Sequence, residues 1–253
     1  MKGKERYVLP LITFTLVLIA WQAAASLGIW EDYLFPSPLA VAGGILETAL
    51  NGVLWQHIGI SLFRFFTGYL IAAAVAVPLG LIAGWYRNLW VAIDPLVQVL
   101  RPISPIAWMP LIALWFGIGN LPAIVIIFLA AFYPMLLSTV AAVKNVDPVY
   151  LKVAQNFGTS EKDILRKVVV PAVFPYIMMG MHIALGTAWV FLVAGEMMGV
   201  RSGLGFLIVD ARNSMRTELV LTGMVIIGVL GLTLDRSIGY LEQRVKKRWG
   251  FSA

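Results

Sequence analysis

Long apolar runs set the limits on what this chain can fold into. Residues 8–26 carry no charged side chain, and similar runs recur over 58–84, 95–116, 121–143, 172–200 and 219–234, interrupted by the ionised groups Arg64, Arg101 and Glu196. A run of about 20 apolar residues is the length of a helix that crosses a bilayer. Backbone polar groups find no partners in hydrocarbon, so such runs must be helices or strands of a closed barrel. No series of ten-residue segments alternates at period two, which argues against the barrel. The expectation is an all-α integral membrane protein with about six transmembrane helices, forming a single domain over residues 1–253. With 60% hydrophobic and 13% charged residues, the chain has too little polar surface to cover a soluble fold. It has no cysteine, hence no disulfide, thiol chemistry or thiolate metal site.

One stretch breaks the apolar pattern. Residues 144–171 (KNVDPVYLKVAQNFGTSEKDILRKVVVP) are polar but carry helix punctuation throughout. Asp147 before Pro148 is a good N-cap followed by the residue best tolerated at the first helical position. Gly158 offers a left-handed stop to that helix. Ser160 with Asp163 reads as a capping box opening a second helix, which Pro171 is expected to end. The prediction is a helix–glycine–helix elbow between two spans.

Charge gives the orientation. With the N-terminus inside, fourteen Lys and Arg fall in cytoplasmic segments and three in outer ones, Arg201, Arg212 and Arg216. By the positive-inside rule both termini and the elbow face the cytoplasm. The net charge of +6 then reflects cytoplasmic loops rather than a nucleic-acid partner. The basic start (MKGKER) and Ala23–Ala25 resemble a cleavable signal peptide, but the apolar run is long for one, which favours an uncleaved first span. Leu27 to His57 contain no Lys or Arg and place Trp30, Tyr33, Phe35 and Trp55 as interfacial aromatics, with room for an amphipathic helix at the outer surface.

Within the spans, Ala72, Ala76, Gly80 and Gly84 recur every four residues and offer a smooth stripe for close helix packing. Trp85–Asp94 read as a short inner loop. The third span holds Arg101, Pro102, Pro105 and Pro110, so its backbone should be irregular, which hydrocarbon tolerates only where a segment is buried in protein or lines a cavity. Trp108, Met109 and Trp115 on it are candidate path residues, with lipid-facing side chains as the alternative. Charges inside spans are costly. Arg64 and Glu196 share a leaflet and can pair; alternatively Arg64 or Arg101 faces a path and attracts an anion. The glycine-rich stretch Ser202–Phe206 is expected to form an outer surface.

No phosphate-binding G-x-x-x-x-G-K-[ST] loop, H-E-x-x-H motif, nucleophile elbow or catalytic carboxylate pair is present. His57 and His182 fall at opposite depths and share no metal. The chain reads as a transporter component rather than an enzyme.

The elbow resembles the cytoplasmic motif of ABC importer permeases: E-A-A, three residues, Gly, nine residues, Ile, any residue, Leu, Pro. Here Ala154, Gly158, Val168, Val170 and Pro171 hold that spacing, while Lys152 and Val153 stand where the family favours Glu and Ala. Residues 54–65 (LWQHIGISLFRF), 100–119 (LRPISPIAWMPLIALWFGIG) and 190–208 (VFLVAGEMMGVRSGLGFLI) resemble the nitrate/sulfonate/taurine branch. The resemblance implies a type I importer permease fold, with a second permease copy as a homodimer. It implies two ATP-binding subunits carrying ATP and Mg, and a periplasmic or lipid-anchored binding protein, in a bacterial or archaeal cytoplasmic membrane. Lys152, Val153, Ala154, Phe157, Gly158, Thr159, Ser160 and Pro171 would couple to the ATPase, and Val149, Ile164 and Leu165 would join them in its groove. The implied cargo is a small oxyanion: an aliphatic sulfonate, taurine or nitrate. A thiamine-precursor pyrimidine or other small organic in the same fold, and an ion-coupled secondary transporter, are the alternatives.

Overall fold

Helices form every regular element of the computed structural model, which describes residues 5–29, 31 and 33–248; the first four residues of the basic start, Lys2 and Lys4 among them, and Trp30 lie outside the described residues. In chain order they are α1 (Glu5–Ser26), α2 (Pro38–Leu50), α3 (Val53–Trp85), α4 (Arg87–Leu100), a 3₁₀ turn (Pro105–Trp108) and α5 (Met109–Phe116). Then follow α6 (Asn120–Lys144), α7 (Pro148–Asn156), α8 (Glu161–Ile164), α9 (Val170–Gly199), α10 (Leu204–Asn213) and α11 (Thr217–Arg248). Among the described residues five helices are long and apolar enough to cross a membrane, or six if the bent pair Arg87–Leu100 and Pro105–Phe116 counts as one span.

Two compact units are present, Met1–Ile60 with Ser202–Gly228, and Ser61–Arg201 with Val229–Ala253. In the first, the Ser37 side chain caps α2, accepting from the Ala40 N–H, with Pro38 at its first position. Thr222 Oγ1 donates to the Val41 carbonyl (3.2 Å), and Gly44 lies against Thr222 and Leu219. The apolar window of α1 is unburied within the chain.

The second unit is built around α6, which packs along α9 and against α3. Small residues set these distances. A Cβ at Gly80 would lie 2.7 Å from Thr139 Cβ, one at Gly84 2.7 Å from Val143 Cβ, and one at Gly180 would collide with Ser138 Cβ. Ala72 and Ala76, the other members of the four-residue stripe, are fully buried. Gly80→Val is therefore expected to overpack the α3–α6 seam and cost about 1–3 kcal/mol, read as a lower thermal unfolding midpoint in detergent.

Two expectations are corrected, and a third takes a definite form. Residues 87–94 are not loop but the first part of α4, and the irregular backbone expected of the proline-rich third span is a break. The two halves of the span meet at 84° across residues 101–104. Pro171 does not end the second elbow helix. A π-helical turn over Leu165–Val169, with the Val170 N–H bonded to the Leu165 carbonyl, carries the helix through the proline into α9. The wider turn shifts the hydrogen-bond register just where proline has no N–H to give, so Glu161–Gly199 runs on as one apolar span.

Candidate functional site

The elbow is locally determined. Asp147 Oδ1 accepts the Val149 N–H (2.8 Å) and Pro148 opens α7. At its end Gly158 adopts φ +69°, its N–H bonds the Gln155 carbonyl (2.9 Å), and the Thr159 N–H bonds the Ala154 carbonyl (3.2 Å). That pair of bonds is the Schellman stop, and the left-handed residue within it favours glycine. Ser160 Oγ accepts the Asp163 N–H and bonds its carboxylate (3.0 Å), and Lys167 pairs with Asp163 at 2.9 Å.

α7 turns two faces in opposite senses. Ala154 is buried with Ala142, Val143, Val169 and Val173, anchoring the elbow to the ends of α6 and α9. Val149, Tyr150, Val153 and Phe157 form an exposed apolar face, Phe157 being 84% exposed. Lys152 and Ser160 are exposed beside it, and Thr159 and Pro171 are half-buried. Ile164 and Leu165 do not join that face. Ile164 is buried in the same anchoring cluster and Leu165 packs on it, because the π-helical turn leads directly into a helix whose inner side is core.

Arg64 and Glu196 are brought together. Arg64 Nη1 lies 2.8 Å from Glu196 Oε1, and both side chains are at most 1% exposed. Ser61 Oγ lies 2.9 Å from both Glu196 oxygens, and Arg64 Nε donates to Asn120 Oδ1 (2.9 Å). This network ties α3, α9 and the first residue of α6. Both charged side chains are buried within this network, the geometry of a structural pair. Ser61 escaped the sequence reading, although it stands three residues from Arg64 on the same helix face.

The third-span candidates separate. Met109 is 4% exposed and packs in a core cluster with Ile112 and Ile126. Trp108 is half-buried against that cluster, while Trp115 is 63% exposed. Arg101 lies at the break in the span and lines a cavity of about 440 Å³ with Ser104, Leu129, Tyr133, Thr187 and Phe191. Ser104 and Tyr133 were not legible as site residues, since nothing in their local sequence joins them to Arg101.

In the first unit, Arg216 bonds Glu47 through two nitrogens (2.9 and 2.7 Å) and Glu218 through Nε (2.8 Å). The Arg216 hydrogen bond holds the Glu47 carboxyl below the usual carboxylate range, and Arg216 is correspondingly raised. The Gly203 N–H donates to His57 Nδ1 (2.9 Å), and Leu204 and Gly205 are buried at the start of α10. The Ser202–Phe206 stretch is thus the buried entry to a helix, not an outer surface. His182 has Asp235 at 2.7 Å and Glu242 at 3.3 Å, linking α9 to α11. Among the described residues no three His, Cys, Asp or Glu side chains could hold a metal ion.

Residues 76–247 match the family described as the binding-protein-dependent transport system inner membrane component. The chain belongs to that family. A Methanocaldococcus jannaschii protein assigned as an ABC transporter permease is 43% identical over 202 residues, covering 79% of this chain and 74% of its own. The Escherichia coli taurine transport system permease protein TauC is 32% identical, covering 95% and 90%, and the Leptolyngbya laminosa nitrate import permease protein NrtB is 38% identical, covering 77% and 70%. A chain of the inward-facing MetNI methionine ABC transporter superposes with a TM-score of 0.66 at 18% identity, over 78% of this chain and 96% of that one. This permease therefore shares the fold of a type I ABC importer's membrane subunit.

Proposed function

We propose that this permease forms the translocation path of an ATP-driven importer for a small oxyanion, with both termini and the elbow in the cytoplasm. The observation that carries the reading is the exposed apolar face of α7, fixed by a Schellman stop and a capped second helix. A nine-residue helix spans only about 14 Å and is marginal alone in water, so an apolar face there points to a partner surface. That partner is one of two ATP-binding subunits, which bind ATP and Mg. A second copy of this chain completes the path, and a periplasmic or lipid-anchored binding protein delivers the cargo. The charge distribution supports the orientation, with the basic elbow and tail inside. Closure of the ATPase pair draws the two elbows together, and because each elbow continues into α9, the motion reaches the membrane helices.

The relatives named for taurine and nitrate support an oxyanion as cargo. The decisive measurement is uptake of labelled taurine, alkanesulfonates and nitrate by the assembled complex in proteoliposomes. Uptake that requires ATP and the binding protein, and survives collapse of ion gradients, is expected. Uptake driven by a proton or sodium gradient without ATP overturns the proposal.

A further inference from the structure

We propose that the cavity beside the broken third span is a binding site for an organic oxyanion, a sulfonate-type headgroup carrying a short alkyl chain. The inference rests on the oxyanion-import reading and adds the residues and the kind of anion. The cavity holds about 440 Å³ between the break at Arg101–Ser104, α6 and α9.

Three donors face it. Among the described residues the side chains of Arg101, Ser104 and Tyr133 make no hydrogen bond or ion pair with other protein groups. Ser104 stands at the N-cap of the 3₁₀ turn, where a serine normally satisfies the first free N–H, yet its hydroxyl makes no cap bond. Arg101 contrasts with Arg64, whose charge is fully met by Glu196 and Asn120. Arg101 and Ser104 are exposed at the mouth of the cavity, and Tyr133, midway along α6, is half-buried in its wall; a guanidinium on an apolar span is costly to leave unmatched. A cation kept there without a protein counter-charge is balanced when an anion occupies the site. A planar guanidinium with two hydroxyls suits the oxygens of a sulfonate or related headgroup.

The remaining wall decides between a bare inorganic anion and an organic one. Leu129 and Phe191 give the cavity an apolar side, and Thr187 adds a methyl while its hydroxyl donates to the Ile183 carbonyl (3.1 Å). Nitrate would have its charge satisfied at Arg101 but leave this wall uncovered. An alkyl chain covers it, and each methylene fully buried is worth about fourfold in affinity.

The cysteine-free sequence gives a direct test. Thr187→Cys introduces the single thiol, whose thiolate displaces methanesulfinate from a methanethiosulfonate to form a mixed disulfide. In the assembled transporter, the anionic 2-sulfonatoethyl reagent should react at least about tenfold faster than the cationic 2-trimethylammonioethyl reagent, a preference equivalent to one tenfold step in binding. Arg101→Gln in that background should abolish the preference. Methane- to butanesulfonate should protect the thiol with a half-protective concentration that falls about two- to fourfold per methylene, while nitrate protects only at far higher concentration. Ser104→Cys serves as the second reporter should Thr187→Cys fail to assemble. Equal rates for the two reagents at both reporters, or unchanged preference after Arg101→Gln, overturn the site. Protection by nitrate as good as by butanesulfonate overturns the organic-anion assignment. ATP-dependent uptake by the unsubstituted complex is scored separately: uptake with no charge preference removes the site and leaves the import reading, whereas charge preference without ATP-dependent uptake removes the import reading.

Discussion

Removing either half of the Arg64–Glu196 pair is expected to destabilise the folded chain by about 3–5 kcal/mol, the cost of leaving an uncompensated buried charge. Arg64→Ala strands the Glu196 carboxylate beside Ser61, and Glu196→Ala strands a guanidinium that is 1% exposed. The loss should appear as reduced membrane yield and a much lower unfolding midpoint in detergent. The pair itself need not be net stabilising, since desolvating two ions offsets most of their attraction. Arg64→Ala with Glu196→Ala should therefore be more stable than the worse single variant, and a volume-matched apolar pair, Arg64→Met with Glu196→Leu, should recover most of the loss. A double variant no better than the worse single would show that the two side chains act independently.

That pair was legible in sequence for a reason that explains what else was. Charges inside apolar runs have few candidate partners, so depth alone nearly selected Glu196 for Arg64. The caps at Asp147, Gly158 and Ser160 were legible because capping is local, decided within three residues by side-chain oxygens and a positive φ. The failures lie where tertiary packing overrides local signals. Pro171 carries a strong stop signal, but the π-helical turn before it, with Val169 and Val173 in the core, makes continuation the better solution. The same packing turned Ile164 inward, although its apolar character alone fits a partner groove equally well. The prolines announced a disturbed third span, but the 84° break depends on what α6 and α9 leave room for. The cavity donors, drawn from residues 101, 104 and 133, meet only through that break.

Gly158→Pro is expected to abolish substrate-stimulated transport while leaving membrane insertion intact. Proline fixes φ near −65°, whereas Gly158 sits at +69° and donates its N–H to the Gln155 carbonyl. The residue before a proline is also pushed out of the helical region, yet Phe157 ends α7 at φ −81° and ψ 7°. The Schellman stop cannot form, so the exposed face carrying Val149, Val153 and Phe157 loses its angle to the helix that continues into α9. The spans are remote from this corner and should insert normally. Gly158→Asp separates strain from space. A Cβ there would meet nothing within 4 Å, and aspartate tolerates the left-handed region better than most residues, so its cost is only about 1–2 kcal/mol. The Asp variant should retain partial transport, and Gly158→Asn slightly more, because it adds no charge beside the exposed apolar face. The measurement is a ratio: ATP hydrolysed per substrate imported by the assembled complex, alongside copurification of the ATP-binding subunit. A rising ratio with the ATPase still bound is expected for Asp, and loss of transport with a weakened ATPase interaction for Pro. Wild-type stimulated uptake by Gly158→Pro would remove the elbow from the coupling path, leaving its exposed apolar face in need of another explanation.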